Sequence, residues 1–246
     1  MTVTLYQFEL CPYCHKVKAG LELKGIPYRR VEVNPLSKSE IKHFPEAADG
    51  RKKVPLVEIG DQFRRESSDI LRWLDEVAPG DRALLPSAES AERADAIDTW
   101  VDKDLIQILP TVLYGTWGES IRAAKLTAKT SNFSRLDNLK VSMFGSVVMK
   151  MIAKRILKKR GEGRTGPELF EAQLDQLETY LGDDDFLCGD QPNLADAGVH
   201  GALTCVREFP AFERVQARPN IMAWYERVGA LRRHVDAGLD PAAAQA

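Results

Sequence analysis

The residues best suited to chemistry in this chain are the two cysteines of the string Cys11-Pro12-Tyr13-Cys14. The string follows a β-type run, Val3 to Phe8, and opens a run with helical spacing. Pro12 suits the first position of a helix, because its nitrogen carries no hydrogen that would be left unpaired there. Cys11 is therefore predicted at the N-cap, where unpaired amides and the helix dipole stabilise a thiolate.

The second cysteine, Cys14, lies one turn later and could attack a mixed disulfide on Cys11, so the pair is predicted to cycle between dithiol and disulfide. With His15 the same letters match the c-type haem attachment pattern, which belongs with export, and we find no signal peptide. A zinc site would need two further ligands, and Cys188 and Cys205 stand alone. We expect these two to be buried, and we expect no metal.

Two further features are predicted to face a ligand. Val54-Pro55 opens a strand, and a cis bond there would turn the Val54 backbone outward, where it could pair with an extended thiol peptide. An ordinary trans proline at a strand edge is the alternative. Glu66 and Ser67 open a helix, where amides and hydroxyls form a site suited to a carboxylate; simple helix capping is the alternative.

The elements around these residues divide the chain into unlike halves. Up to Val77 the order is β-α-β-α-β-β-α, which predicts a four-stranded mixed sheet with helices on its faces and a tight hairpin at Gly60-Asp61. The second helix of that order, around Ser37 to Phe44, has the weakest signal. We predict a domain over residues 1–78, a Pro/Gly-punctuated linker over 79–88, a helical domain over 89–236 and a tail over 237–246.

The second half is predicted to be all-α, so the fold class is α/β plus all-α. Its helical apolar spacing covers Glu89 to Ile108, Val141 to Lys159, Glu168 to Leu181, Asn193 to Arg207 and Asn220 to Arg232.

Composition sets broad limits on function. The 246 residues carry a net charge of −2, which gives no support to nucleic-acid binding. No stretch approaches the ~18 uninterrupted apolar residues of a membrane-spanning helix. We expect a cytoplasmic protein.

The chain resembles the glutathione transferase superfamily in four features. They are the CPYC string after the first strand, Val54-Pro55 before the third strand, the helix start at Glu66-Ser67 and the all-α second half. The resemblance covers nearly the whole chain. It implies a thioredoxin-like first domain, glutathione as cofactor and a homodimer.

Within that superfamily the resemblance extends to a branch with a CxxC active site, the type-two membrane-associated prostaglandin E synthases. The strings that carry it are LYQFELCPYCHKV, YRRVEVNPLSKSEIK, RKKVPLV, WVDKDLI, MFGSVVMKMIAKRILKKR and PNLADAGVHGAL.

The resemblance also implies which residues hold glutathione. Its cysteinyl part would lie along the Val-Pro backbone and its γ-glutamyl part at the Glu-Ser pair. We also predict Lys52 or Lys53 near its glycyl carboxylate, with a solvated loop lysine as the alternative. The predicted glutathione site is Pro12, Tyr13, Lys53, Val54, Pro55, Glu66 and Ser67, with Cys11 and Cys14 as catalytic residues.

Apolar residues of the helical half could form a pocket for a second substrate facing Cys11; bundle core is the alternative for each of them. We predict this pocket from Phe8, Tyr114 and Trp117, with Phe133, Met143 and Phe144 nearby. The basic run from Lys150 to Arg160 is interpreted as a solvated helix face, with weak contact to a membrane surface or an acidic substrate as the alternatives.

The predicted function is a glutathione-dependent enzyme that uses Cys11 on a small apolar electrophile, peroxide or mixed disulfide. The alternatives are a glutaredoxin-like thiol-disulfide oxidoreductase, an isomerase like the prostaglandin E synthases, and a non-catalytic binding protein.

Overall fold

The computed structural model describes residues 2–78, 80–85, 87–233 and 236–239, and the first of these ranges folds as the predicted thioredoxin-like α/β unit. The strands are β1 (Val3–Gln7), β2 (Tyr28–Glu32), β3 (Leu56–Ile59) and β4 (Gln62–Arg64), and the helices are α1 (Pro12–Leu23) and α2 (Ser67–Val77).

The sheet brings three loop segments together at one end of its strands, which we call the site edge. β1 is parallel to β2 and antiparallel to β3, and β4 is antiparallel to β3. The ends of β1 and β4 therefore lie opposite the start of β3. The segments at this edge are those that carry Cys11, Val54-Pro55 and Glu66-Ser67.

A fifth strand, β5 (Asp236–Leu239), extends the predicted four-stranded sheet. It pairs parallel to β2, and the strand order is β4-β3-β1-β2-β5. Without it, β2 would form an edge of the sheet with unpaired main-chain groups.

The second predicted helix of this half is reduced to one 3₁₀ turn, Ser39–Ile41. The side chain of Asn34 accepts hydrogen bonds from the N–H groups of Leu36 at 2.9 Å and Ser37 at 3.1 Å. Such local bonds between side chain and backbone compete with a helix, so the segment forms a turn instead.

The second half is helical, as predicted. A π-helical turn, Val101–Leu105, joins its first two helices. The helices are α3 (Ala91–Trp100), α4 (Ile106–Ile108), α5 (Pro110–Leu113), α6 (Trp117–Thr130), α7 (Arg135–Arg160), α8 (Gly166–Leu181), α9 (Leu194–Cys205), α10 (Phe212–Gln216) and α11 (Pro219–Leu231).

Helix α6 has no counterpart among the predicted helices, because it has few large apolar residues. Its start carries a capping box that could have indicated it. The Thr116 side chain accepts from the Glu119 amide at 3.2 Å, and the Glu119 carboxylate accepts from the Thr116 amide at 2.7 Å.

Helix α1, which begins at the cysteine string, packs mainly against α9. The first half of the chain therefore contacts the helical half through α1. Gly201 of α9 allows this approach. A Cβ at Gly201 would lie 2.5 Å from the main-chain nitrogen of Lys16, closer than a side chain can approach. The core runs continuously through both halves of the chain.

The predicted boundaries between these units fall partly outside the described residues. The linker 79–88 includes residues 79 and 86, and the tail 237–246 includes residues 240–246, none of which the structure describes. Over the ranges that are described, no helix combines the length and apolar character needed to cross a bilayer.

Candidate active site

Cys11 is fixed at the N-cap of α1 by the turn that follows β1. Its N–H donates to the carbonyl of Phe8 at 3.1 Å, and its own carbonyl accepts from the N–H groups of Cys14 at 3.0 Å and His15 at 3.1 Å. Pro12 occupies the first helical turn, and Cys11 is buried. This is the position that the sequence predicts.

The two thiols of the string have opposite environments. A hydrogen bond from the Cys14 side chain lowers the pKa of Cys11, and the amides of Cys14 and Tyr13 add to this, although burial opposes it. Burial raises the pKa of Cys14 well above its usual range, and its bond to Cys11 adds to this effect. Cys11 is therefore the thiol that ionises first, and Cys14 stays protonated.

A buried lysine contributes to this electrostatic environment. The positive charge of Lys18 helps to lower the pKa of Cys11, and its Nζ lies 2.9 Å from the carboxylate of Glu9. Burial lowers the pKa of His15 to about 3, so His15 is neutral and its Nε2–H donates to the Glu9 carbonyl at 2.8 Å. Sequence reasoning missed Lys18, although its place one helical turn after Cys14 is a readable signal.

The Val54-Pro55 peptide bond is cis. Among the described residues, no main-chain group is hydrogen-bonded to the N–H or C=O of Val54. The next lysine along the site edge, Lys53, lies 2.8 Å from the carboxylate of Asp49 and 4.0 Å from that of Glu66. The other candidate lysine, Lys52, is directed away, because its Nζ donates to a loop carbonyl.

Glu66 and Ser67 open α2 at the site edge. Glu66 has a φ of 59°, an uncommon value for a residue with a side chain, and its carbonyl accepts from the Ile70 N–H at 2.9 Å. Its carboxylate is exposed, whereas Ser67 is buried. The N-terminal amides of α2 thus provide a favourable environment for an anionic group.

Tyr13 contacts the helical half. Its hydroxyl donates to the carbonyl of Asp102 at 3.1 Å and accepts from the Gln107 side chain at 2.8 Å. Burial, followed by the charge of Asp102, raises the pKa of Tyr13 to about 12. This hydroxyl therefore holds α1 against the helical half and is not free for a ligand.

A buried ion cluster, not foreseen from the sequence, joins the two halves behind Cys14. The Lys16 side chain is fully buried, and its Nζ lies 2.6 Å from Asp98 and 2.8 Å from Asp102. The same Nζ donates to the Ser68 hydroxyl at 2.8 Å, and that hydroxyl donates to Asp102 at 3.0 Å. The cluster connects α1 to α2, α3 and the π-helical turn.

A cavity of about 660 Å³ lies beside the loop that leads to Cys11. Its lining is mainly apolar and includes Phe8 and Leu10 of that loop. Tyr114 also lines it, and burial raises the pKa of this tyrosine, so its hydroxyl stays protonated. From the helical half, Phe133 and Phe144 complete the cluster of aromatic side chains in its wall.

The structure does not place Trp117 or Met143 in this cavity. Trp117 is the first residue of α6 and is 56% exposed, and Met143 points outward from α7 at 59% exposed. The prediction of Trp117 as a pocket residue is corrected accordingly: its side chain is exposed at the start of α6 and does not line the cavity. Of the other cysteines, Cys205 is buried and Cys188 is half-buried.

Two family models match the chain, in the order in which the two halves occur. The model described as the N-terminal domain of glutathione S-transferase matches residues 5–82, and that described as the C-terminal domain of glutathione S-transferase matches residues 165–231.

Individual proteins are similar over different shares of the chain. Prostaglandin E synthase 2 of Danio rerio is 24% identical over 96% of this chain and 72% of its own. Glutaredoxin 1 of Rickettsia felis is 36% identical over 23% of this chain and 55% of its own. The structure of a glutathione S-transferase from Methylobacterium radiotolerans in complex with glutathione sulfonate has a TM-score of 0.59, at 19% identity, covering 94% of this chain and 91% of that one.

Proposed function

Because the chain belongs to the glutathione S-transferase superfamily and is a glutathione-dependent enzyme, we propose that Cys11 performs its thiol chemistry on a small apolar electrophile, peroxide or mixed disulfide. The observation that carries this proposal is the pair of opposed thiol environments. The pKa of Cys11 is lowered at a helix N-terminus, while Cys14 is held protonated beside it.

Glutathione is proposed to bind along the site edge next to Cys11. The main chain of Val54 would pair with the cysteinyl part of the peptide, as a strand added to the edge pairs with its neighbour. The γ-glutamyl carboxylate would lie at the amide of Ser67 at the start of α2. Lys53, which now contacts Asp49 and lies near Glu66, would meet the glycyl carboxylate. Pro12, Pro55 and Tyr13 would shape the groove.

The thiol step can be written for a mixed disulfide of glutathione with a substrate thiol. The Cys11 thiolate attacks the glutathione sulfur, the substrate leaves as a thiolate, and a Cys11–glutathione disulfide remains. A second glutathione thiolate can attack this disulfide and give oxidised glutathione and free Cys11. Alternatively, Cys14 loses its proton, attacks Cys11 and releases glutathione, which leaves a Cys11–Cys14 disulfide.

A glutaredoxin-like oxidoreductase is a second candidate, favoured by the hydrogen bond between Cys14 and Cys11 and by the similarity to Glutaredoxin 1. An isomerase reaction is favoured by the similarity to Prostaglandin E synthase 2 over nearly the whole chain. For each, the apolar cavity lined by Phe8 and Tyr114 is proposed to hold the second substrate.

The proposed function is tested by turnover of the purified protein with glutathione and, in turn, a conjugation electrophile, a hydroperoxide and a glutathionylated disulfide. Turnover of at least one is expected. If none were turned over at any glutathione concentration, the proposed chemistry of Cys11 on an electrophile, peroxide or mixed disulfide would be refuted.

Replacing Ser67 by alanine tests the proposed glutathione groove. The buried Ser67 hydroxyl would hydrogen-bond the carboxylate, and bonds to charged groups contribute about 1.5–3 kcal/mol. We expect Ser67→Ala to weaken glutathione binding by roughly tenfold or more in titration calorimetry. Ser87→Ala, which changes an exposed serine of the linker, is the matched control. Equal affinities for wild type and Ser67→Ala would remove Ser67 from the site.

The protein is also proposed to be a cytoplasmic homodimer, by resemblance to its superfamily. Sedimentation velocity at micromolar concentration should show a species of twice the 27.5 kDa chain mass. Detection of the 27.5 kDa species alone would reject the dimer.

A further inference from the structure

Helix α7 carries an exposed apolar stripe on the side that faces away from the protein. Spacings of three and four residues place its members on one helix face over about 22 Å. They are Leu136 (71% exposed), Leu139 (58%), Met143 (59%), Val147 (43%) and Met151 (65%). Single exposed apolar residues need no explanation, but a contiguous stripe marks an interaction surface.

The same stripe becomes basic towards the end of the helix. Lys154 and Lys158 continue it at the same spacing, and both are exposed, as is Lys140 beside the apolar part. Lysines in such positions can bury their methylene stems along an apolar phase while the ammonium groups stay in a polar layer.

Charge is concentrated in this part of the chain. The α6–α7 hairpin, residues 116–160, contains eleven lysines and arginines and two acidic residues, Glu119 and Asp137. Its net charge is +9, although the whole chain carries −2. The hairpin therefore combines the apolar stripe with an excess of positive charge, and the rest of the protein is acidic.

The hairpin is fastened to the protein so that the stripe keeps its outward direction. Lys150 donates to the carbonyl of Gly115, and Arg160 donates to the carbonyl of Lys103 at 2.9 Å. Gly145 packs closely on α6, since a Cβ at this position would lie 3.3 Å from the Cβ of Ala124.

We propose that the outward face of the α6–α7 hairpin docks on an anionic membrane surface. Acyl chains would cover the apolar stripe, and acidic headgroups would neutralise the lysines that flank and extend it. A two-fold contact between copies of the chain would place the +9 hairpin against itself, which charge repulsion opposes. The phosphates of a nucleic acid would bind the lysines, but they would leave the leucines and methionines of the stripe exposed to water.

Flotation with vesicles tests this docking surface. The full chain should bind vesicles of equal parts phosphatidylcholine and phosphatidylglycerol, should bind phosphatidylcholine alone much more weakly, and should be released as salt is raised. Lys154→Gln with Lys158→Gln should weaken binding about thirtyfold, since each lysine near such a surface contributes ~1 kcal/mol. Met143→Ser with Met151→Ser should weaken it about tenfold at unchanged charge.

The charge-matched control is Lys42→Gln with Arg51→Gln, two exposed positions of the first half, and it should bind as the wild type does. Failure of the wild type to bind anionic vesicles would overturn the proposal, as would equal binding by the Lys154/Lys158 variant. A change of sedimentation coefficient in the Met143/Met151 variant would also overturn it, by assigning the stripe to a contact between copies. The enzyme assays are done without lipid, so their outcome is independent of this one.

Discussion

Replacing Cys11 by serine is expected to lower every glutathione-dependent activity of this protein by about a thousandfold or more, as removal of a catalytic nucleophile does in other enzymes. The physical reason is the thiolate. The Cys14 side chain and the first amides of α1 stabilise a negative charge on the Cys11 sulfur, and a serine hydroxyl does not ionise in the same environment. The measurement is kcat/KM with each second substrate that the wild type turns over.

Cys14 provides the matched comparison, because it can act as hydrogen-bond donor, as resolving thiol or as both. Cys14→Ser keeps a donor and removes the resolving thiol, so it should spare a transferase or monothiol reaction and disable a dithiol reaction. Cys14→Ala removes both. If Cys14 acts only as a donor, the serine variant should remain active and the alanine variant should be impaired.

The pH dependence of alkylation separates these roles independently of turnover. Because the pKa of Cys11 is lowered, its labelling by iodoacetamide should persist to a lower pH than that of an ordinary thiol, and Cys11 should be labelled before Cys14. Removing the donor in Cys14→Ala raises the pKa of Cys11, so the labelling profile of Cys11 should move to higher pH. Labelling of Cys14 first, or full activity of Cys11→Ser in all assays, would contradict the mechanism.

The largest expected effect on stability comes from Lys16. Lys16→Met keeps the apolar stem but leaves the Asp102 carboxylate without its cation and Asp98 with only the longer contact to Arg72, at 3.5 Å. Breaking a buried ion pair by removing one partner costs about 3–5 kcal/mol. For a chain of this size that corresponds to a fall in Tm of roughly 6 to 20 °C in a thermal unfolding experiment.

Two controls make this result specific. Lys42→Met removes an exposed lysine and should leave Tm nearly unchanged. Asp98→Asn added to Lys16→Met removes one of the two carboxylate charges that Lys16 held and should restore part of the lost stability, which a double-mutant cycle measures as an interaction energy. A Lys16→Met protein as stable as the wild type would show that the cluster does not hold the two halves together.

Much of the active-site geometry was predictable because it is local. The position of Cys11 depends on a strand that ends shortly before it and on a proline that suits the first turn of a helix, and both are visible within a few residues. The same holds for the helix that starts at Ser67 and for the hairpin at Gly60-Asp61. Local propensity and turn chemistry decide such features without reference to distant parts of the chain.

Two segments differ from the sequence-based prediction because side-chain hydrogen bonds to the backbone outweigh the apolar pattern. The segment after β2 carries only a weak helical signal, and the Asn34 side chain accepts hydrogen bonds from the amides that follow it, which favours a turn over a helix. Helix α6 was missed for the opposite reason, since its capping box is clear while its apolar pattern is weak.

The interactions across the two halves were decided only by the tertiary structure. Lys16 is predicted to be an exposed position of a helix, because nothing near it in sequence indicates burial or a carboxylate partner. Asp98 and Asp102 come from far along the chain, and Gly198 of α9 packs on the Lys16 side chain, where a Cβ would lie 3.6 Å from Lys16 Cε. The burial of Cys11 and the shape of the adjoining cavity depend on how the helical half packs on the first half. Those contacts join residues distant in sequence, so local patterns do not reveal them.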